Sequence, residues 1–219
     1  VMYPEFKSWF LQFVDKYPVG FVTGSDREKT VEQVGEDLVD AVEYCFNCAG
    51  NAVYRHGELV YRNDWELPEE PWQFLENYLY QQSPYRSKYG KHFEQRIGLL
   101  NFSVVGRNAV GDQRTHYYEW DKIYGEREQL VKELNHRWPD LEAAAGGETG
   151  IDIFARGKDK SQVLDRIDGQ VSFFGDRIDP NGNDWSLAQR IIAENRGRCY
   201  NITNWTHTWN TLRQLCPNV

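Results

Sequence analysis

The sequence predicts an α/β fold interrupted by a second, α+β domain, and three observations carry that expectation. Short apolar runs alternate with amphipathic helical patterns at both ends of the 219-residue chain, the rhythm of parallel strands joined by helices. The middle block instead reads as strands around an amphipathic helix, with antiparallel strand order. An acidic, proline-bearing stretch, Pro68-Glu69-Glu70-Pro71, marks the first junction. The expected organisation is a core over residues 1–70 and 155–219 with an insertion over 71–154.

From the N-terminus, apolar residues at 6, 9, 10, 13 and 14 lie on one helical face, and Tyr17-Pro18 ends the helix begun near Glu5. Val19 to Thr23 is a short strand closed by Gly24-Ser25-Asp26. Val31, Val34, Leu38 and Val42 then predict a single helix. Ser25 and Asp26 stand at its N-cap position, with Glu28 three residues after Ser25 as in a capping box. Tyr44-Cys45-Phe46 reads as a strand, and the alternation from Ala52 to Tyr61 as a hairpin turning at His56-Gly57.

Trp72 to Tyr80 is helical, Ile97 to Val105 a strand, Glu126 to Trp138 a helix closed by Pro139, and Gly150 to Phe154 a strand. The βα rhythm resumes with a helix over 160–167, the strand Val171 to Phe174 and a polar loop over 175–184. A helix over 185–195, a strand near 198–202 and a helix near 206–215 complete the order.

Composition narrows the partners. With 25 Lys and Arg against 33 Asp and Glu the net charge is -8, which repels nucleic acid and anionic membranes alike. No apolar run is long enough to span a bilayer and no signal peptide is visible, so a cytoplasmic protein is expected. Four cysteines, at 45, 48, 199 and 216, are too few and too irregular for a disulfide framework, and Cys45-x-x-Cys48 lacks the second ligand pair of a zinc site. Sequons at Asn101, Asn201 and Asn204 carry little weight without a secretory signal. Residue 1 is Val, from which a processed, truncated or partial product is expected.

Ligands of open parallel sheets bind outside the carboxyl ends of the strands. Thr23-Gly24-Ser25-Asp26 follows a strand and opens a helix, where backbone N–H groups and a hydroxyl suit a phosphate, although Ser25 serves equally as a helix cap. Gly175 to Asp184 gathers three aspartates and two asparagines (Asn181 and Asn183) after another strand. That density of charge is relieved by a divalent cation with hard oxygen ligands, Mg2+ fitting best; an ordinary polar turn is the alternative. Lys160 is placed to offset phosphate charge. Arg96, Arg107 and Arg114 could grip a distal phosphate bidentately, or form salt bridges on a sheet surface.

Taken in order, Gly24-Ser25-Asp26, Asn101-Phe102-Ser103 through Gly106-Arg107, Gly146-Gly147 with Asp152-Ile153-Phe154, Asp159-Lys160, and Phe173-Phe174-Gly175-Asp176 with Gly182-Asn183-Asp184 resemble eukaryotic-type phosphomannomutase, of the haloacid dehalogenase superfamily. The resemblance runs from about residue 5 to the C-terminus. It implies a Rossmann-like haloacid dehalogenase core with an inserted α+β cap, and Mg2+-dependent phosphoryl transfer through an aspartyl-phosphate. Hexose 6-phosphate and hexose 1-phosphate, mannose phosphate first, would be interconverted with a hexose 1,6-bisphosphate activator, in the supply of GDP-mannose.

By position, Ser25 would hold the transferring phosphoryl group and Lys160 stabilise its charge. Asp176, Asn183 and Asp184 would form the metal loop, Arg96, Arg107 and Arg114 would grip the far phosphate, and Asp152 would meet sugar hydroxyls. A homodimer through the cap is implied as well.

The departures are specific. The family has Gly-Gly-Gln-Ile-Ser before its cap aspartate, where this chain has Gly146-Gly147-Glu148-Thr149-Gly150: a charge replaces an amide and a hydroxyl is lost. Arg177-Ile178 replaces a lysine and threonine. No Asp-x-Asp pair, the family's nucleophile and acid/base, occurs anywhere; the expectation is that it belongs to a strand preceding Tyr3, central to the sheet. The alternatives are a sugar-phosphate or nucleotide phosphatase on the same scaffold, or a non-catalytic relative that binds a phosphorylated ligand or a partner protein.

Overall fold

A computed structural model describes residues 2–180 and 182–218; Asn181 of the polar loop lies outside the described residues. The chain divides into two compact units, Val1–Arg62 with Lys158–Val219, and Asn63–Gly157.

The first unit opens with α1 (Pro4–Val14), whose proline occupies the first turn, where no N–H is needed, and which buries Phe6, Phe10 and Phe13. β1 (Gly20–Val22) pairs in parallel with β2 (Tyr44–Asn47), through α2 (Arg27–Val34) and α3 (Glu36–Ala41). The single helix expected over this stretch is therefore two, broken at Gly35, whose φ of +96° no helix accommodates. A short 3₁₀ turn, Cys48–Gly50, leads to β3 (Ala52–Arg55) and β4 (Glu58–Arg62). Their hairpin turns at His56-Gly57, where φ is +47° and +80°, the positive pair that a two-residue hairpin loop requires.

In the second unit α4 (Glu69–Asn77) runs into one π turn, Tyr78–Gln82. The expected strand over 97–105 is instead a turn followed by the shorter β6 (Leu99–Phe102), paired with an unforeseen β5 (Phe93–Arg96). α5 (Asp112–Tyr124) was also not visible in the pattern; α6 (Glu126–Arg137) was. β7 (Leu141–Gly146) and β8 (Gly150–Ala155) complete a wholly antiparallel sheet, in the order β5-β6-β8-β7. Leu100, Phe102, Ala143, Ile151 and Ile153 join Tyr117, Leu130 and Leu134 of α5 and α6 in one core. Strand alternation places Glu94, Arg96, Asn101 and Asp152 on the opposite sheet face, beside Leu99 and Phe154.

Back in the first unit, the helix expected over 160–167 is a 3₁₀ helix, Lys160–Arg166, started by the Asp159 side chain accepting from Ser161 N. β9 (Val171–Gly175), α7 (Trp185–Ala193), β10 (Gly197–Asn201) and α8 (Trp205–Leu215) follow. Phe46, Val53, Val163, Leu164, Leu187 and Ile191 form one core cluster. Phe6 stacks on Trp205 and Trp209, with centroids 5.9 and 5.4 Å away, locking α1 onto α8. β9 and β10 pair in parallel as a sheet of their own, separate from β1-β2-β3-β4, and no strand among the described residues joins the two. No helix among those residues is long and apolar enough to cross a membrane.

Candidate active site

Ser25 lies in the loop between β1 and α2, half-buried. The helix is capped by Asp26, which accepts from Lys29 N at 2.8 Å, so the expected Ser25 capping box does not form. The Ser25 backbone is tightly held: its N–H donates to Thr23 Oγ1 at 3.1 Å, and its carbonyl accepts from Cys48 N at 2.9 Å and Asn47 Nδ2 at 3.2 Å.

Asn47, fully buried at the end of β2, also donates to Thr30 Oγ1 at 2.7 Å, while its Oδ1 accepts from the Cys45 thiol at 3.3 Å. Burial pushes that thiol up to about 11, keeping it protonated as the donor this network needs. Asn47 was missed in the sequence because a lone asparagine beside a glycine-bearing turn carries no distinguishing signal.

Lys160 Nζ meets Asp184 Oδ1 at 2.6 Å, and both side chains are buried. Gln162 Nε2 donates to Ala49 O and to Lys158 O, each at 2.9 Å, and Asn51 Nδ2 to Cys48 O at 2.8 Å and Lys158 O at 3.2 Å. Through these amides the turn after β2 ties the Ser25 loop to the segment carrying Lys160.

In the loop after β9, Asp176 and Asn183 are exposed, while Asp184 is buried just before α7. The Asp184 carboxylate is engaged twice, by Lys160 at Oδ1 and by Arg177 N at Oδ2, 3.3 Å away. The loop closes on itself through Gly182 N to Asp179 O at 2.8 Å and Asp184 N to Arg177 O at 3.1 Å. Gly182 has no room for a side chain, because an added Cβ would overlap the Arg177 carbonyl. Hard oxygen donors at Asp176 and Asn183 fit a divalent cation as part of its coordination shell; among the described residues, no three His, Cys, Asp or Glu side chains converge to complete one.

The second unit's sheet gathers three of the other predicted residues, Arg96, Arg107 and Asp152. Register places Glu94, Asn101 and Asp152 side by side across β5, β6 and β8. Arg96 binds Glu94 Oε2 through Nη2 at 2.5 Å and Nε at 3.1 Å, and Arg107 Nη2 reaches the same oxygen at 3.1 Å. Burial raises the Glu94 carboxyl, but the Arg96 hydrogen bond and the charges of Arg96, Arg107 and Lys91 outweigh it and hold the group below its ordinary value. Arg107 Nη1 also donates to Asn101 Oδ1 at 3.3 Å, and Asn101 Nδ2 to Asp152 Oδ1 at 2.6 Å.

Arg96, Arg107 and Asp152 are thus one network, joined by Glu94 and Asn101, which sequence reasoning did not single out as site residues. Arg114, on α5, faces Glu148 instead, at 3.4 Å. Beneath the β7–β8 turn, Arg127 is buried against Asp121 at 2.7 Å and donates to the carbonyls of Gly147 at 3.1 Å and Gly150 at 3.4 Å. This arrangement presents guanidinium groups to an anion and a carboxylate with an amide to hydroxyls.

Comparison with known proteins agrees with this architecture. Residues 6–217 match the eukaryotic phosphomannomutase family. A phosphomannomutase of Saccharomyces cerevisiae is 33% identical over 196 residues, covering 84% of this chain and 76% of the yeast protein. Phosphomannomutase 1 of Mus musculus is 32% identical, covering 97% of this chain and 84% of the mouse protein. Among solved structures, a haloacid dehalogenase-like hydrolase from Bacteroides thetaiotaomicron superposes with a TM-score of 0.59 at 10% identity, covering 95% and 91% of the two chains. Sucrose-phosphatase from Synechocystis superposes at 0.54, also at 10% identity, covering 96% and 89%. The chain belongs to the eukaryotic phosphomannomutase family and has the α/β core of the haloacid dehalogenase-like proteins.

Proposed function

We propose that this protein is a phosphoryl-transfer enzyme of the phosphomannomutase type, interconverting hexose 6-phosphate and hexose 1-phosphate with mannose phosphate as substrate. The observation that carries the reading is the family match over residues 6–217. Ser25, just past the carboxyl end of β1, holds the transferring phosphoryl group by hydrogen bonding, and Lys160, fixed by Asp184, balances its charge.

Mg2+, when bound, neutralises phosphate charge; Asp176 and Asn183 are the residues that would hold it, with Asp184 setting the loop from behind. Arg96, Arg107 and Arg114 bind the far phosphate, and Asp152, oriented by Asn101, accepts from a sugar hydroxyl. A mutase must hold its sugar by either end, which is why cations are needed away from the reacting phosphate. The aspartyl-phosphate route needs a carboxylate nucleophile beyond these residues, since no Asp-x-Asp pair is present. A hexose 1,6-bisphosphate activator, a homodimer through the inserted unit and a cytoplasmic location complete the proposal.

A second reading is a sugar-phosphate phosphatase, because water can replace the returning sugar with little change in core residues; the change to Glu148-Thr149-Gly150 near Asp152 favours a shifted sugar. Mannose 1-phosphate with Mg2+ and a hexose bisphosphate tests both: isomerisation supports the mutase, and phosphate release without isomerisation supports the phosphatase. Binding with neither product, in a protein that carries the carboxylate nucleophile, leaves a ligand-binding relative.

A further inference from the structure

We propose that Glu148 is a built-in counter-ion for Arg114, which an incoming phosphate displaces and which reclaims the guanidinium when that phosphate leaves. The inference rests on the sugar-phosphate reading above and assigns that site a residue which sets affinity and exchange.

The three arginines that the resemblance assigns to the far phosphate are held differently, Arg96 and Arg107 beside the polar residues of the sheet and Arg114 on α5. Arg96 and Arg107 share Glu94, a strand residue whose side chain is 23% exposed and which carries more cationic neighbours than it can neutralise. Arg114 and Glu148 are paired one to one, at 3.4 Å, with side chains 37% and 61% exposed. A long, solvated pair of this kind holds its partners by a factor of about two to five. Of the three guanidinium groups, Arg114 is the one whose carboxylate is most easily exchanged for another anion.

The backbone under Glu148 is fixed, while its side chain is solvated and pairs with Arg114. Arg127 grips the carbonyls of Gly147 and Gly150, and Ser103 Oγ donates to Thr149 O at 3.0 Å. Thr149 is itself buried. The turn therefore keeps the carboxylate within reach of Arg114 whether or not the two are bound.

Phosphate, a dianion offering paired oxygens to a guanidinium fork, outcompetes a single carboxylate in such an exchange. For a mutase the exchange has a purpose. Its far-phosphate site must accept either end of the sugar and then release it, and Glu148 spares Arg114 from standing unpaired at each release.

Calorimetric titration of the 219-residue chain with mannose 1-phosphate and with inorganic phosphate, at low ionic strength, tests this in four forms. These are wild type, Glu148→Gln, Arg114→Ala and the double variant. Glu148→Gln is expected to bind both ligands about two- to fivefold more tightly than wild type. The double variant is expected to bind like Arg114→Ala, because without the guanidinium there is nothing to compete for. Equal or weaker binding by Glu148→Gln, or a gain that survives removal of Arg114, overturns the proposal.

A gain for inorganic phosphate, with mannose 1-phosphate bound no better than phosphate itself, upholds the counter-ion and removes the sugar-phosphate reading. Failure of both ligands to bind any form overturns both.

Discussion

Lys160 Nζ stands 2.6 Å from Asp184 Oδ1, with each side chain only 9% exposed. Two charges this far from water are held by each other, and neither is comfortable alone. Lys160→Met is expected to cost about 3–5 kcal/mol, because it strands the Asp184 carboxylate. Adding Asp184→Asn should restore part of that loss, since the neutral amide needs no counter-ion and its oxygen can still accept from Arg177 N. Urea unfolding of the single and double variants checks this; a double variant less stable than Lys160→Met would show that the pair is not what stabilises the loop.

Asn47 is the hinge pin of the Ser25 loop. Its amide adds a second donor to the Ser25 carbonyl, which Cys48 N–H also reaches, and a donor to the Thr30 hydroxyl, which itself donates to Asp26 O. Asn47→Ala leaves these groups and the Cys45 thiol without that amide, at a cost of about 2 kcal/mol. The amides of Cys48 and Ala49, which donate to Ser25 O and Thr23 O, should then exchange with deuterium faster than those of β3. Unchanged protection at Cys48 and Ala49 would mean that the backbone bonds alone hold the loop.

Much of this fold was legible because its elements are locally consistent. Val171 to Gly175, Trp185 to Ala193 and the hairpin at His56-Gly57 pair a clear period with matching turn residues, and the structure has each in place. The failures have physical causes. Leu141–Gly146 contains three consecutive alanines, good helix formers, and is a strand only because β8 pairs along its whole length. Asp112–Tyr124 buries only Tyr117 and Asp121, so no apolar stripe announces its helix. At the site, the polar residue types could be read from the sequence, but their partners could not. That Arg96 and Arg107 share Glu94 while Arg114 turns to Glu148 depends on strand register and on a turn, which no spacing rule supplies.

Glu126 gives the second unit a pH signature. Its carboxylate is buried and accepts from Ser83 Oγ at 2.6 Å, Tyr78 OH at 3.1 Å and Tyr117 OH at 3.2 Å. Burial raises its pKa, and the hydroxyls and Lys88 offset this only in part. The folded state therefore holds the proton to higher pH than the unfolded chain does. The stability linked to Glu126 is full below the ordinary glutamate range and is lost as pH rises from there through the raised value. Glu126→Gln removes the titration, so the stability difference between wild type and variant should shift against wild type over that interval. Denaturant midpoints measured from pH 4 upward read it directly; a difference that stays flat with pH would place the ionisable group elsewhere.

Gly150 explains why the serine that the family resemblance leads one to expect here is absent. Its φ is not in the left-handed region, so backbone conformation does not demand glycine. Space does: a Cβ at this position would stand 2.7 Å from Asn101 Nδ2 and 3.2 Å from Gly146 O. Asn101 occupies that room while donating to Asp152, which ties the missing hydroxyl to the orientation of the Asp152 carboxylate. Gly150→Ser should therefore push Asn101 off Asp152 and cost about 1–3 kcal/mol, the usual price of overpacking. Combined with Asn101→Ala, the serine should cost much less, because the colliding amide is gone. A coupling energy near zero between the two positions would refute the steric account, and a serine variant as stable as wild type would show that Asn101 can give way without loss.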